Sequence, residues 1–377
     1  MSGEPRILIV GAGIAGLTLA AGLERHGITP EVVEISDRLL TRGLGLFLTS
    51  NVFLALRRIG LDKTIIERGV VINQQVQTDA SETPAGNHDF RPFNARYAPN
   101  IGIAREGLMT GLLTGVGAQI RYSRTISSLD QSHGEVDVGF SDGTRGTYDL
   151  VVGADGSNSS VRKLVFPQIE PAYRSFCAWR TVMDGSDGTS TLTIRIIPGL
   201  ALGSFSVGPN LIYAFILAHY PESPSLSRDG HLERLKELAR RFRGFVPSLI
   251  QEQRDPTRVV FVPVSEVDVA PYYRGRVVVI GDSAHAFPPQ FAQGAAMAIE
   301  DAVTLSELLG TSADIDSALR SYESKRRPRV NKVRAAVRHR AILQGMEGPV
   351  TSELLQRHPP GFPNPEAIYD SLVAEWL

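Results

Sequence analysis

The sequence predicts an α/β chain in which a parallel sheet is interrupted by an inserted antiparallel one. Three observations predict it. An apolar run at residues 7–10 leads into a G-x-G-x-x-G turn and then a helical pattern. Two later apolar runs, 150–152 and 277–280, likewise end in glycine and aspartate. Between those two, residues 172–263 carry strand-like runs bounded by Gly, Pro and Asp turns.

The first run, I-L-I-V, has the unbroken apolar pattern of a strand buried on both faces of a parallel sheet. In the turn that follows, Gly11 permits the sharp bend, Gly13 lets backbone approach a pyrophosphate, and Gly16 lets helix and strand pack closely. Ile14 and Ala15 stand where the helix begins, and its first amides would receive the pyrophosphate. Residues 31–33 read as a second strand, and Glu34 ends it where a carboxylate can accept from a ribose diol. Strand, turn, helix, strand and acid in this order predict a Rossmann-like dinucleotide site. The acid suits the adenosine of FAD or NAD without choosing between them.

The connection after Glu34 carries Arg38 and Arg42, which could bring cations towards phosphates or a ring edge, and an apolar helix follows at 52–59. Residues 70–97 are polar and turn-rich, the pattern of a hairpin with a mobile tip. At 101–113 a strand precedes a helix with Leu108, Met109, Leu112 and Leu113 on one face; Arg105 at its head is either a pyrophosphate ligand or an ordinary surface arginine. Residues 120–140 alternate as strands. Asp155 closes the strand before a polar, serine-rich helix start, as a ligand contact or as a cap. The sheet of 172–263, with one helix at 232–242, offers a wall for a flat ligand. Gly281-Asp282 closes the last buried strand, and Gln293-Gly294 opens a helix whose bare N-terminus would stabilise negative charge beside it. The basic helix at 322–342 reads as a solvated face, and the Pro-rich tail as an extended strap ending in a short helix.

At 377 residues the chain is long for one core, and its 42% hydrophobic and 21% charged composition is that of a soluble globular protein. A net charge of −1 gives no electrostatic reason to expect nucleic acid. The single cysteine, Cys177, excludes an intramolecular disulfide and a Cys-rich metal site, and its neighbours Phe176, Ala178 and Trp179 mark it as a core thiol. No metal is expected. No apolar run approaches the ~18 residues of a membrane span. With no signal-like segment before the first strand, the expectation is a cytoplasmic enzyme, as monomer or homodimer, without a membrane partner.

Three motifs in order, Gly11-Ala12-Gly13-Ile14-Ala15-Gly16 with Glu34, Asp155-Gly156-Ser157, and Gly281-Asp282-Ser283-Ala284-His285 followed by Pro289 and Gln293-Gly294, resemble those of the single-component (group A) FAD-dependent aromatic hydroxylases. The resemblance covers residues 5–340, and the Trp179-Arg180 pair is similar to one in the salicylate-hydroxylase-like branch. It implies a glutathione-reductase-type FAD-binding domain built from 1–70, 100–171 and 264–345. It also implies a para-hydroxybenzoate-hydroxylase-like substrate domain from 71–99 and 172–263, with 346–377 as the strap. Within it Glu34 would bind the adenosine ribose, Arg105 the pyrophosphate or ribityl region, and Asp282 the ribityl chain, with Arg42, in a connection that also fits the family, as a further cofactor contact. Asp155 would link the FAD and nicotinamide sites, Gly294 and Ala295 after Gln293 would face the pyrimidine edge, and His285 would be structural. Gly281 and Pro289 complete the cofactor contacts.

The same resemblance implies tightly bound FAD, reduced by transient NADPH or NADH. The reduced flavin would react with O2 to a C4a-hydroperoxide that transfers one oxygen to an aromatic or polyketide-like substrate. Pro289, Tyr213 and His219 are the candidate catalytic residues, His219 being equally a core histidine; Tyr220 is a further candidate base. Arg180 and Arg195 are either anion partners or outer-face residues. Alternatives are an epoxidase, a Baeyer–Villiger-type oxygenase, or a non-redox flavoprotein using FAD as scaffold. Ala292 replaces a glycine frequent in the family and would narrow the space near the ring.

Overall fold

The computed structural model describes residues 4–39, 44–79, 84–132, 134–225, 227–345 and 370–376. Strand Ile7–Val10 is buried at every residue, as its apolar run requires. It pairs in parallel with Leu150–Gly153 on one side and Glu31–Val33 on the other. Val277–Val279 adds in parallel to Leu150–Gly153, Ile120–Arg121 to Glu31–Val33, and Tyr273–Arg274 caps the edge antiparallel. The sheet order therefore sets three sequence-distant strand ends side by side, those before Gly281, Ala154 and Gly11. The chain reverses direction across the sheet at Ile7–Val10, the place where such sheets leave a ligand crevice.

A second sheet of seven strands runs in the order Val259–Glu266, Ala172–Asp184, Leu211–His219, Leu200–Gly208, Thr191–Ile197, Gln74–Thr78 and Pro84–Asp89. The last two are the hairpin expected at 70–97; its tip at 80–83 lies outside the described residues. The sheet is not purely antiparallel: Thr191–Ile197 and Gln74–Thr78 pair in parallel. No hairpin links those two strands, so the intervening chain is free to deliver either direction. The expected helix at 232–242 runs from Arg228 to Ala239, its start capped by Ser227. A second helix, Phe245–Glu252, follows it, and both pack on one sheet face around the buried Trp179 and Cys177. Cys177 is a core thiol in contact with the Tyr173 hydroxyl, and burial pushes its pKa up.

The basic C-terminal helix, Ile315–Gly345, corrects the expectation of a solvated face. Arg326, Arg329 and Arg334 are 2%, 2% and 4% exposed. They are drawn in by carboxylates on neighbouring elements, Glu300 and Asp301 fully buried and Asp268 exposed. Arg326 binds Glu300 at 2.8 Å and Asp301 at 2.7 Å, Arg329 binds Glu300 at 2.8 Å, and Arg334 binds Asp268 at 2.7 Å. Arg329 also donates to the carbonyls of Ser371 and Leu372, which docks the chain's helical end; residues 346–369 of the expected strap lie outside the described residues. Burial alone would raise the Asp301 pKa, but His285 and Arg326 beside it prevail and bring it from 3.8 to about 2. A depressed folded-state pKa stabilises above the unfolded value and is lost as the pH falls through the folded one. Stability from Asp301 is thus present above pH ~4 and disappears towards pH ~2. Asp301→Asn is expected to flatten the acid limb of a stability–pH curve in that window by about 2–3 kcal/mol, readable from urea midpoints measured between those limits. An unchanged acid limb would show that the carboxylate is not so held.

Candidate functional site

The glycine turn is shaped by what a side chain would strike. Gly11 holds φ +107°, and a Cβ there would stand 2.5 Å from the Ala154 carbonyl oxygen; at Gly16 it would stand 1.9 Å from the Gly11 oxygen. Gly13 differs: a Cβ would meet only the Ala154 oxygen, at 3.9 Å. Packing does not require glycine at 13, so the open space above it is left for a ligand's close approach. Helix Ile14–Arg25 begins here without a side-chain cap, its amides turned towards a cavity that Ile14 and Ala15 also line. At the end of the second strand, Glu34 accepts from the amides of Ala12 at 2.9 Å and Ser36 at 3.0 Å. The carboxylate is thereby fixed at the cavity wall with acceptor capacity to spare for a diol. These residues fit the adenosine diphosphate half of FAD.

Both strand-end aspartates line the same cavity. Asp155 accepts from Ser159 Oγ, the amides of Ser160 and Val161, and Ser283 Oγ, so it caps a helix and ties the second strand end to the third. Burial raises its pKa against those hydrogen bonds. Arg162, fully buried, reinforces the tie by donating to the carbonyls of Ser283 and Ser157. Asp282 follows Gly281, whose φ is +59°, and faces Arg105 and Arg180. Burial raises the Asp282 pKa; His285, Arg180 and Arg105 oppose it. Burial likewise lowers the pKa of Arg105, which Asp282 counteracts. Arg105 is therefore a cavity residue, not a surface one. His285 is buried outside the cavity lining, bonded to Asp301 at 2.5 Å, while Asp301 also accepts the Gly281 amide at 2.9 Å. Arg42 lies outside the described residues.

The Pro-rich turn closes the cavity from above. Pro289, Ala292, Gly294 and Ala295 line it, whereas the Gln293 side chain turns away. Gln293 donates to Thr49 Oγ1 and the Phe291 carbonyl and accepts from Asn51, which anchors the start of helix Gln293–Thr311. Phe291 and Ala292 both sit in the left-handed region, with φ +65° and +54°. That conformation costs an L-residue about 1–2 kcal/mol. Ala292→Gly removes it at Ala292 and is expected to raise stability by roughly 0.5–1 kcal/mol after glycine's larger unfolded-state entropy is deducted. The urea midpoint of the purified variant checks this, and a fall in midpoint would contradict it.

The cavity, about 960 Å³, continues from the glycine turn onto one face of the seven-stranded sheet. Register explains its lining. Gln75, Leu192, Phe205 and Tyr213 lie in one cross-strand row; Gln77, Ile194, Gly203, Phe215 and Arg180 lie in the next. Gly203 is where the Phe215 ring lies down, since a Cβ there would stand 2.1 Å from it. Tyr213 packs on Phe205 at 5.1 Å and on Phe215 at 6.0 Å between ring centroids. Burial raises the Tyr213 hydroxyl pKa, with Arg180's charge opposing. His219, at the end of the Tyr213 strand, packs edge-on against Phe176 and is not among the lining residues; nor are Tyr220, which accepts from Arg234, and Arg195. The aromatic floor of Phe205 and Phe215 and the glutamines of the hairpin were missed in the sequence. The one signal for them was the alternation Q-Q-V-Q-T, which puts Gln75 and Gln77 on one face.

Among the described residues, no helix is long and apolar enough to cross a membrane. The model of a family described as an FAD binding domain matches residues 4–337. The chain is 31% identical to the aurachin C monooxygenase/isomerase of Stigmatella aurantiaca over 86% of each protein. It is 26% identical to the 6-hydroxynicotinate 3-monooxygenase of Bordetella bronchiseptica over 93% of this chain and 94% of that one. Its fold is similar to that of Klebsiella pneumoniae HpxO complexed with FAD and uric acid, with a TM-score of 0.83 at 23% identity, covering 99% of this chain and 93% of that one.

Proposed function

Because the chain belongs to the FAD-binding-domain family of flavoprotein aromatic hydroxylases, and is an FAD-dependent monooxygenase, we propose that it consumes NADPH or NADH and O2 to insert one oxygen atom into an aromatic or polyketide-like small molecule. The observation that carries this reading is the continuity of one cavity from the glycine turn to the aromatic sheet face. When bound, FAD supplies the redox chemistry and the activation of oxygen; the chain supplies position, electrostatics and exclusion of water. Residues 1–70, 100–171 and 264–345 serve the cofactor in this reading, and 71–99 with 172–263 serve the substrate.

Gly11, Gly13 and Glu34 hold the adenosine half, Arg105 and Asp282 the central chain, and the backbone at Gly294 and Ala295 the far edge of the ring. A flat substrate rests on Phe205 and Phe215 beneath Pro289 and Ala292. Tyr213, kept protonated by burial, donates to a substrate oxygen and does not act as base. His219, outside the lining, moves no proton here.

The test is a visible spectrum of the purified protein, then NADPH and NADH oxidation with and without a panel of phenols, hydroxypyridines and polyketide-like aromatics. The reading requires a yellow protein whose nicotinamide oxidation accelerates with one compound and whose product is heavier by one oxygen. A yellow protein that oxidises neither nucleotide under any of these conditions would refute it and favour FAD as a scaffold.

A further inference from the structure

The floor of the cavity differs in its two directions. Across the sheet it meets polar side chains on either hand, Gln77 on the edge hairpin and Arg180 on the other side of Phe215. Along the strands it stays apolar. Tyr213, Phe215 and Leu217 alternate onto one face of their strand, and all three line the cavity. Leu217 stands opposite Ala201, which also lines it, and Ile196 and Ala178 flank that pair in the same cross-strand row. This row belongs to a buried apolar cluster against which Ile194 and Phe215 pack. Tyr213 marks the near end: a Cβ on Gly45 would stand 2.6 Å from its side chain, and the strand of Gly45 leads to Thr49, which anchors Gln293 in the turn over the ring. Leu217 marks the far end, roughly 13 Å away at the usual rise per residue, further than one aromatic ring reaches. Water standing on such a trough is unfavourable, and apolar carbon laid along it is favourable.

We infer that Ala201 and Leu217, with Ile194 beside them, form a distal apolar subsite that takes an uncharged alkyl chain para to the hydroxyl of a phenolic substrate. The inference rests on the proposed function of the same cavity and names the class of molecule it takes. The phenol oxygen meets Tyr213, the ring lies on Phe205 and Phe215, and the chain runs along the strands over Ala201 to Leu217. Ala201 and Leu217 are specificity residues in this assignment and touch no reacting atom.

The test titrates the FAD-loaded enzyme with 4-methyl-, 4-butyl- and 4-hexylphenol and with 4-(5-hydroxypentyl)phenol, following the flavin absorbance without NADPH or NADH. Affinity is expected to rise about threefold to fourfold for each carbon that the trough covers, the worth of a buried methylene. The hydroxypentyl compound, equal in length to the hexyl one but polar at its end, should bind about tenfold more weakly than it. Ala201→Phe fills the trough and should flatten the rise along the series. Leu217→Ala lengthens the trough and should raise the preference for 4-hexylphenol over 4-butylphenol. The assignment is overturned if affinity does not rise with chain length, or if the hydroxyl-ended chain binds as tightly as the hexyl one. It is equally overturned if Ala201→Phe leaves the series as it was or, where that variant does not retain FAD, if Leu217→Ala does. Because binding is read without turnover, a failure to hydroxylate the bound phenols would count against the proposed reaction and not against the subsite.

Discussion

Replacing Arg326 by methionine is expected to lower the unfolding free energy by about 3–5 kcal/mol, the usual result of stripping one partner from a buried ion cluster. The guanidinium is 2% exposed and lies between Glu300 and Asp301, both with no exposed surface. Burial raises the pKa of Glu300, and Arg329 and Arg326 together hold it below its ordinary value. Without Arg326, Glu300 keeps Arg329 and Asn51, and Asp301 keeps His285 and the Gly281 amide. Two buried carboxylates then keep one guanidinium and one histidine, and lose the cation that bridged them. Urea unfolding of the FAD-loaded protein reads the loss directly. Adding Glu300→Gln to Arg326→Met should cost less than the sum of the two single changes, since the second removes a charge the first left unpaired. A single-variant loss under about 1 kcal/mol would mean that water reaches the cluster and screens it. The consequence for function runs along the backbone: Asp301 holds the Gly281 amide, and Gln293 and Glu300 share Asn51, so this cluster sets both the third strand end and the turn above the ring.

Why that cluster escaped the sequence reading is a matter of range. Local pattern located the strand ends well: Ile7–Val10, Leu150–Gly153 and Val277–Val279 stand where their apolar runs place them, and parallel pairing then brings Gly11, Asp155 and Asp282 to one cavity. A charge pattern such as E-S-K-R-R-P-R-V-N-K-V-R, by contrast, is identical for a solvated helix and for one whose arginines meet buried carboxylates. The difference lies in Glu300 and Asp301, about seven turns of helix earlier in the chain, and in the packing of one helix on the other. Tyr213 and Arg180 could be named from the sequence because each puts a polar, chemistry-bearing side chain into a strand-like run of the inserted sheet. Which face they take depends on register with strands distant in the chain, as Arg180 with Phe215 and Val260, and so Phe215 and Phe205 beside them were not foreseen. The order of strand, turn, helix and strand supplied a role for Glu34, and the resemblance one for Asp282. Their place in the cavity came from sheet order, a property no local window holds.

Gly13→Val is expected to abolish FAD binding, with affinity falling at least about a hundredfold, while leaving the folded apoprotein nearly as stable as before. The two halves of this expectation rest on separate facts. Gly13 has φ −80° and ψ −168°, an extended conformation open to any residue, and an added Cβ finds only the Ala154 oxygen, at 3.9 Å. The protein therefore has no objection to a side chain there. A ligand phosphate resting on the uncapped amides of helix Ile14–Arg25 would have a strong one, because the branched methyls would occupy the space through which it approaches. Gly16→Ala makes the contrast: a Cβ 1.9 Å from the Gly11 carbonyl oxygen forces strand and helix apart, so that variant should lose stability and FAD together. Thermal unfolding of the apoproteins and fluorimetric titration with FAD separate the two cases. A Gly13→Val protein that still binds FAD at wild-type affinity would place the pyrophosphate somewhere other than this turn, whatever the resemblance of the motif. One that unfolds as readily as Gly16→Ala would show instead that glycine at 13 serves the fold. Only the intermediate result, an intact apoprotein that no longer takes up the cofactor, is what a position kept open for a ligand predicts.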